Sequence, residues 1–349
     1  MIDLPPSIKE LVTDGFCRVP RYLSRGSVWN WAVRCGLVLT ARAGAAATLA
    51  NVPAELPIGD NRPLARVRHA LRGTRAYRGY RYVLSLRGAR RERELLAGVR
   101  TYCLFLGHAR SGHSILGALL DAHPQIVLSD ELDAVGYVSA GFSREQVLWL
   151  SVRVARDQAA RQRQKRGRGG KIYSYHVPGQ WQGRSDDLRV IGDSNAGATV
   201  RALSADPGLL PRVGSVMQGL DLRFIHVARN PYDNIGTMML RSGRSFESAF
   251  ERYFENWELI DRLRARIDPA AVHTVRHEEL VTTPRESVGG ACRFLGVEPS
   301  EGYLDACAGI LYGSPARSRH ALEWSSEQRR RIDERIAAFD GLRGYSFEA

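Results

Sequence analysis

The sequence predicts an α/β fold: a three-layer sandwich with a central parallel sheet and flanking helices, preceded by a mainly helical N-terminal extension. Three observations predict it. Short apolar runs recur with helical stretches between them, the pattern of a parallel sheet joined by crossover helices. A glycine-bounded loop separates the first clear run from the helix after it. Basic residues crowd the first 100 positions, which sets 1–100 apart from 101–349.

The N-terminal part comes first. Residues 1–100 hold 18 Lys and Arg against 7 Asp and Glu, so +11 of the chain's net +13 sits there. Trp29 to Ala50 reads as one helix and Asn51 to Pro63, with three prolines, as a loop. Eleven arginines lie between Arg62 and Arg93, interleaved with Tyr77, Tyr80 and Tyr82. Two readings fit: a solvated basic helix pair beside the main domain, or a surface for an anionic membrane or an acidic carrier. Nucleic acid is the weakest partner, because no known binding motif accompanies the charge.

The main domain opens at Tyr102. Tyr102 to Leu106 is a short buried strand. The loop Gly107, His108, Ala109, Arg110, Ser111, Gly112 follows, and a helix begins near His113 and Ser114, apolar from Ile115 to Ala122. A strand, a glycine loop and a helix start make a phosphate cradle: loop N–H groups and unpaired donors of the first helical turn converge on one anion. Against the pattern G-x-x-x-x-G-K-[ST], Gly107, Gly112 and Ser114 fit and His113 replaces the lysine. A nucleoside triphosphatase needs that lysine and a carboxylate on Mg²⁺. The permanent cation here is Arg110 instead.

Further along, Gln125 to Leu128 reads as a second strand, ending in Ser129, Asp130 and Glu131. Ser143 to Gln164 reads as a long helix with Ser143 as its cap, running into a basic flexible loop. Leu188 to Gly192, Leu222 to Ala228 and Val272 to Val275 read as strands. Phe246 to Ile267, Pro284 to Phe294 and Glu327 to Phe339 read as helices. The strand ending at Arg229 leads into Pro231, Asp233 and Thr237. Arg229 and Thr237, eight apart across a helix start, can both reach one phosphate at the carboxyl edge of the sheet.

These two stretches, in this order, resemble sulfotransferases that use phosphoadenosine phosphosulfate (PAPS). The cradle run Arg110-Ser111-Gly112-His113-Ser114 is similar to that family's loop, with His113 where threonine is common. Arg229 and Thr237 resemble its arginine and serine for the ribose phosphate. His277 sits where tyrosine is common, and Arg319, in Ser318 to Trp324, resembles the closing loop over the nucleotide. The resemblance spans about Thr101 to Ala338. It implies a P-loop domain over 101–349, PAPS as sulfuryl donor, no metal, and a hydroxyl acceptor on a small metabolite, carbohydrate or glycolipid. Gly107, Arg110, Ser111, Gly112, His113, Ser114, Arg229, Thr237 and Arg319 would bind the nucleotide. Arg110 would also stabilise the leaving phosphate, with Glu131 or His108 as base for the acceptor. The rivals are a P-loop kinase or NTPase-like enzyme and a non-catalytic nucleotide-binding protein that docks on membranes.

Cysteines 17, 35, 103, 292 and 307 form no paired motif, which fits a reducing compartment. The opening residues are not a signal peptide, and the apolar stretch Val38 to Val52 is short and broken by Arg42. The expected location is cytoplasmic, with a peripheral membrane contact through 62–93.

Overall fold

The computed structural model describes residues 75–166, 172–311 and 313–349. The expected helix at 29–50, the loop at 51–63 and the arginines before residue 75 lie outside the described residues. The chain divides into two compact units, Met1–Gly88 and Ala89–Ala349. Of the first, the described part belongs to helix α1 (Arg75–Arg91), which crosses the division.

The second unit is an α/β sandwich, as the sequence predicts. After a short helix α2 (Arg93–Ala97) comes strand β1 (Thr101–Gly107), buried at every position. Helix α3 (His113–Leu120) leads to β2 (Ile126–Ser129). Helices α4 (Ala134–Ser139) and α5 (Arg144–Ala159) follow, then a hairpin of β3 (Gln164–Arg166) and β4 (Ile172–Ser174). Strand β5 (Val190–Asp193) precedes α6 (Ala196–Ala205) and α7 (Leu209–Val216). Strand β6 (Asp221–Ala228) runs into α8 (Pro231–Ser242) and α9 (Phe246–Arg264). Strand β7 (Val272–Arg276) is followed by α10 (His277–Thr282), α11 (Pro284–Phe294), α12 (Glu301–Gly309) and α13 (Ser326–Ala337).

The sheet order is β2-β5-β1-β6-β7, and every pair is parallel. The chain starts in the middle with β1, goes out to the edge strand β2, returns to set β5 between them, then crosses to β6 and β7 on the other side of β1. That reversal opens a crevice beyond the carboxyl ends of the central strands, the place where open α/β sheets bind ligands. Cys103, Phe105, Ile225 and Val227 face a core shared with Leu116 and Leu119 of α3, Val288 of α11 and Tyr303 of α12. On the other face His226 packs against Trp257 of α9, ring centroids 5.4 Å apart. Both faces are covered, which is why these strands read as continuous apolar runs.

Two expectations need correction. The helix capped by Ser143 has the predicted cap, with Gln146 completing a capping box, but it ends at Ala159. Gln162 and Arg163 then adopt left-handed backbone with φ of 51° and 46°. Of the basic stretch after it, residues 161–166 turn and form β3 rather than a flexible loop, and 167–170 lie outside the described residues. Arg163 is 5% exposed and pairs with the buried Asp121 while donating to the Leu128 carbonyl at 2.7 Å. Asp121 also accepts the Leu128 and Gly183 amides, each at 2.8 Å, so the end of α3, β2 and the segment after β4 meet on one carboxylate. Burial pushes the Asp121 carboxyl up to about 6, and Arg163 opposes that rise.

Among the described residues no helix is long and apolar enough to cross a membrane. Cys103, Cys292 and Cys307 are buried free thiols.

Candidate functional site

The cradle sits at the carboxyl end of β1. Three of its residues have positive φ: Gly107 at 153°, Arg110 at 71° and Gly112 at 99°. Gly112 caps α3, and no side chain fits there, because a Cβ would lie 2.4 Å from Nδ1 of His277. Positive φ and close approach together demand glycine. Ser111 is fully buried, with its amide donating to the His108 carbonyl at 3.3 Å. His113 is half-buried and its Nδ1 donates to the same carbonyl at 3.2 Å. Arg110 is exposed.

His108 is placed differently from the expectation of a base. It is 3% exposed and stacks on Tyr253 of α9 at 4.2 Å. Its Nε2 donates to the Tyr253 carbonyl at 2.9 Å. Burial pulls its pKa down to about 4. An imidazole so enclosed anchors the loop to α9. Asn256, also on α9, helps by donating to the Gly107 carbonyl at 3.2 Å.

The β2 turn meets the cradle through Asp130. This carboxylate accepts the hydroxyls of Ser114 at 3.3 Å and Ser194 at 3.2 Å. Gln158 of α5 clamps the Asp130 backbone, accepting its amide at 3.0 Å and donating to its carbonyl at 2.5 Å. Glu131, next in the chain, is exposed and left-handed at φ 60°. Asp193 shapes that turn from β5. Its oxygens accept the amides of Leu132 at 3.1 Å and Ala134 at 3.0 Å and the Ser129 hydroxyl at 3.2 Å. Burial pushes the Asp193 carboxyl up to about 7, and those bonds oppose the rise.

The second stretch stands beside the first. Arg229 is 6% exposed. One terminal nitrogen donates to the Arg110 carbonyl at 2.9 Å and to the Thr237 hydroxyl at 3.3 Å. The other donates to the Ala316 carbonyl at 2.7 Å, and Nε is buried with no partner. Burial lowers its pKa, while Asp233 and Glu278 support its charge. Thr237 pairs with the Ser318 hydroxyl at 2.8 Å. Asn230 caps α8 by accepting the Tyr232 amide at 3.0 Å, and Pro231 takes the first helical position, where its missing N–H costs nothing.

Arg319 does not offer a charge at the crevice. It is 1% exposed, and its guanidinium pairs with Asp233 at 3.1 Å and donates to the Ala349 carbonyl. Its amide donates to the same aspartate at 3.0 Å. The ion pair fastens the 318–321 turn to α8, next to Thr237.

The structure therefore gathers the loop 107–114, Asp130, Arg229, Thr237 and Ser318 at one edge, with Glu131 following on the β2 turn. Sequence reasoning missed Tyr253, Asn256, Gln158 and Ser318. Tyr253 supports both stretches: its ring and carbonyl hold His108, and its hydroxyl donates to the Arg229 carbonyl at 3.3 Å. Nothing in the spacing of α9 signals this, since 145 residues separate it from His108. Among the described residues no group of three or more His, Cys, Asp or Glu stands ready to hold a metal ion.

No curated protein matches the chain closely in sequence. Its likeness to solved structures is distant in sequence. The sulfotransferase domain of the Synechococcus PCC 7002 olefin synthase is 17% identical, with 69% of this chain and 96% of that one covered and a TM-score of 0.43. Sulfotransferase STF9 from Mycobacterium avium is 12% identical, with 93% and 98% covered and a TM-score of 0.44. Mouse sulfotransferase SULT7A1, solved in complex with PAP, is 11% identical, with 70% and 87% covered and a TM-score of 0.37. Residues 104–301, more than half of the chain and including the cradle and Arg229, match the sequence profile of the sulfotransferase family, and the chain belongs to that family.

Proposed function

We propose that the protein transfers a sulfuryl group from PAPS to a hydroxyl of a small metabolite, carbohydrate or glycolipid, by in-line displacement. The observation that carries the reading is the contact between the two anion-binding stretches: the Arg229 guanidinium donates to the backbone of Arg110 at 2.9 Å. One adenosine with phosphates at both ends suits two such grips side by side. The spare Nε of Arg229 adds an unused donor at that corner.

Each residue then has a task. Loop amides and the first turn of α3 hold the 5′-phosphate. Arg229 and Thr237 hold the ribose phosphate and so orient the donor, which lowers the barrier through positioning. The acceptor oxygen bonds to sulfur as the bond from sulfur to the phosphate oxygen breaks, and the electron pair stays on that phosphate. Arg110, exposed at the cradle, stabilises the charge that arrives there; one pre-aimed donor of this kind is worth about 3 kcal/mol. Glu131 takes the acceptor's proton. The buried thiols suit a reducing compartment.

Calorimetry with PAP and with ATP, each with and without Mg²⁺, tests the donor. PAP should bind without Mg²⁺ and ATP far more weakly; tight Mg²⁺-dependent ATP binding would replace this reading with the kinase one. Transfer of label from ³⁵S-PAPS to a panel of hydroxyl acceptors tests the chemistry. PAP binding with no transfer to any acceptor or to water would make the protein a nucleotide binder only.

A further inference from the structure

One imidazole beside the cradle has no task in that reaction. His277 opens α10, just past the end of β7. Its Nδ1 is buried and has no hydrogen-bond partner. The ring is pressed against the cradle, since a Cβ on Gly112 would sit 2.4 Å from that nitrogen. Arg229 lies near enough for its charge to act on the ring, and its own Nε is likewise buried and unpaired. Two residues beside the cradle, Arg229 acting on the charge state of His277, thus each carry an orphaned nitrogen. Buried polar atoms are nearly always paired, so each of these asks for a partner that the protein alone does not supply.

The charges around His277 can be named. Burial first, and then Arg229, pull its pKa down to about 3. Glu278, next on the same helix, is turned away, accepting the Asn230 amide at 2.9 Å and the Tyr345 hydroxyl at 3.2 Å. Arg276, at the end of β7, lies over the Tyr345 ring, 4.9 Å from its centroid. Asp233 of α8 is held by Arg319. On the cradle side Gly112 brings no charge, and the exposed Arg110 is the nearest cation in sequence.

We infer that His277 couples anion binding to proton uptake: when a phosphate docks on Arg229, the imidazole becomes an imidazolium, taking one proton from solvent. The inference rests on the reading that the Arg229–Thr237 corner holds a phosphate. In the free protein Arg229 disfavours a second positive charge. A phosphate dianion reverses the sign of the local field. At about 5 Å and an effective dielectric near 20, each unit of charge moves a neighbouring pKa by roughly 2. A dianion on Arg229 therefore moves His277 upward, against the pull of burial. The ring then carries a proton on both nitrogens, and the positive charge lies beside the cradle. Affinity for the nucleotide then rises as pH falls, and the linkage is reciprocal.

Calorimetry of PAP binding to the full chain at pH 6.5, in two buffers of unlike ionisation enthalpy, counts the protons taken up. The same count on His277→Gln and His277→Tyr removes the part that belongs to the nucleotide's own phosphates. The wild-type protein should take up at least about half a proton more than either variant, and that excess should vanish by pH 8.5. Equal counts in all three proteins would leave the donor reading standing and overturn the inference. No binding heat with PAP would overturn both. Should the variants fold poorly, the ¹⁵N shifts of His277 in the wild-type protein decide: they should move to imidazolium values on adding PAP, and neutral values would sink the idea.

Discussion

The Arg229 guanidinium and the Arg110 carbonyl oxygen are 2.9 Å apart, although 119 residues separate them in the chain. The contact joins the carboxyl end of β6 to the loop after β1, two adjacent strands in register from Thr101 and Asp221 to Gly107 and Val227. It makes one site of two motifs. It also means that the buried fork is braced by two backbone carbonyls, those of Arg110 and Ala316.

The fork geometry should matter more than the charge. Arg229→Lys keeps a cation but cannot donate to the Arg110 and Ala316 carbonyls and to Thr237 together. We expect PAP affinity to fall about 10-fold for Arg229→Lys and about 100-fold, roughly 2.7 kcal/mol, for Arg229→Met. Calorimetry reads this directly. A lysine variant with unchanged affinity would show that charge alone suffices.

Arg110 and Glu131 should separate binding from turnover. Both are exposed, so Arg110→Ala and Glu131→Gln should melt within a few degrees of the parent. Each should lower the rate of sulfuryl transfer by about 100-fold or more. Glu131→Gln should leave PAP affinity unchanged, and Arg110→Ala should weaken it. Full turnover in the glutamine variant would move the base elsewhere on the β2 turn.

Asp233 should be a stability residue. Its partner Arg319 is 1% exposed, so Asp233→Ala strands a buried cation. Breaking such a pair from one side costs about 3–5 kcal/mol. For a unit of this size that is a fall in Tm of roughly 6–15 °C. The double change Asp233→Leu with Arg319→Met should recover only part of it, because the buried Arg319 amide still loses its acceptor. Calorimetric melting of the three proteins checks this; a single variant as stable as the parent would mean the pair contributes nothing.

Acid sensitivity should trace to buried histidines. Burial holds His108 at about 4 and His226 and His277 at about 3 in the folded chain, against 6.5 when exposed. Their neutral forms favour the fold above pH 6.5, and that contribution is lost as pH falls toward 4 and 3. Each is worth up to about 1.4 kcal/mol per pH unit. Asp121 and Asp193 act oppositely. Raised to about 6 and 7, they favour the fold at low pH, and that contribution is lost as pH rises through those values. Three histidines outweigh two aspartates between pH 6.5 and 5. Urea unfolding at both pH values should show His226→Gln losing about 2 kcal/mol less than the parent over that interval. An equal loss would clear His226 of the role.

Local chemistry was readable in the sequence, and long-range support was not. Strand β1, the cradle, α3 and the Arg229 turn announce themselves because glycine, proline and apolar spacing act over a few residues. So does the Ser143 cap. The end of α5 was misread by five residues, because nothing local stops the helix at Ala159; Asp121, far back in the chain, draws Arg163 inward. His108 and Arg319 looked like ligand groups for the same reason. A loop histidine and a loop arginine read alike whether they meet solvent, a nucleotide or a buried partner. Only the fold places Tyr253 behind one and Asp233 beside the other.

Tyr253 has one more consequence. A single phenol underlies both grips, so a change to it is felt at both ends of whatever molecule they clasp. Substitutions at His108 and Arg229 should then not add, each loosening the plank on which the other rests. The β2 turn stands apart from that shared floor, held instead by Asp193 and Gln158.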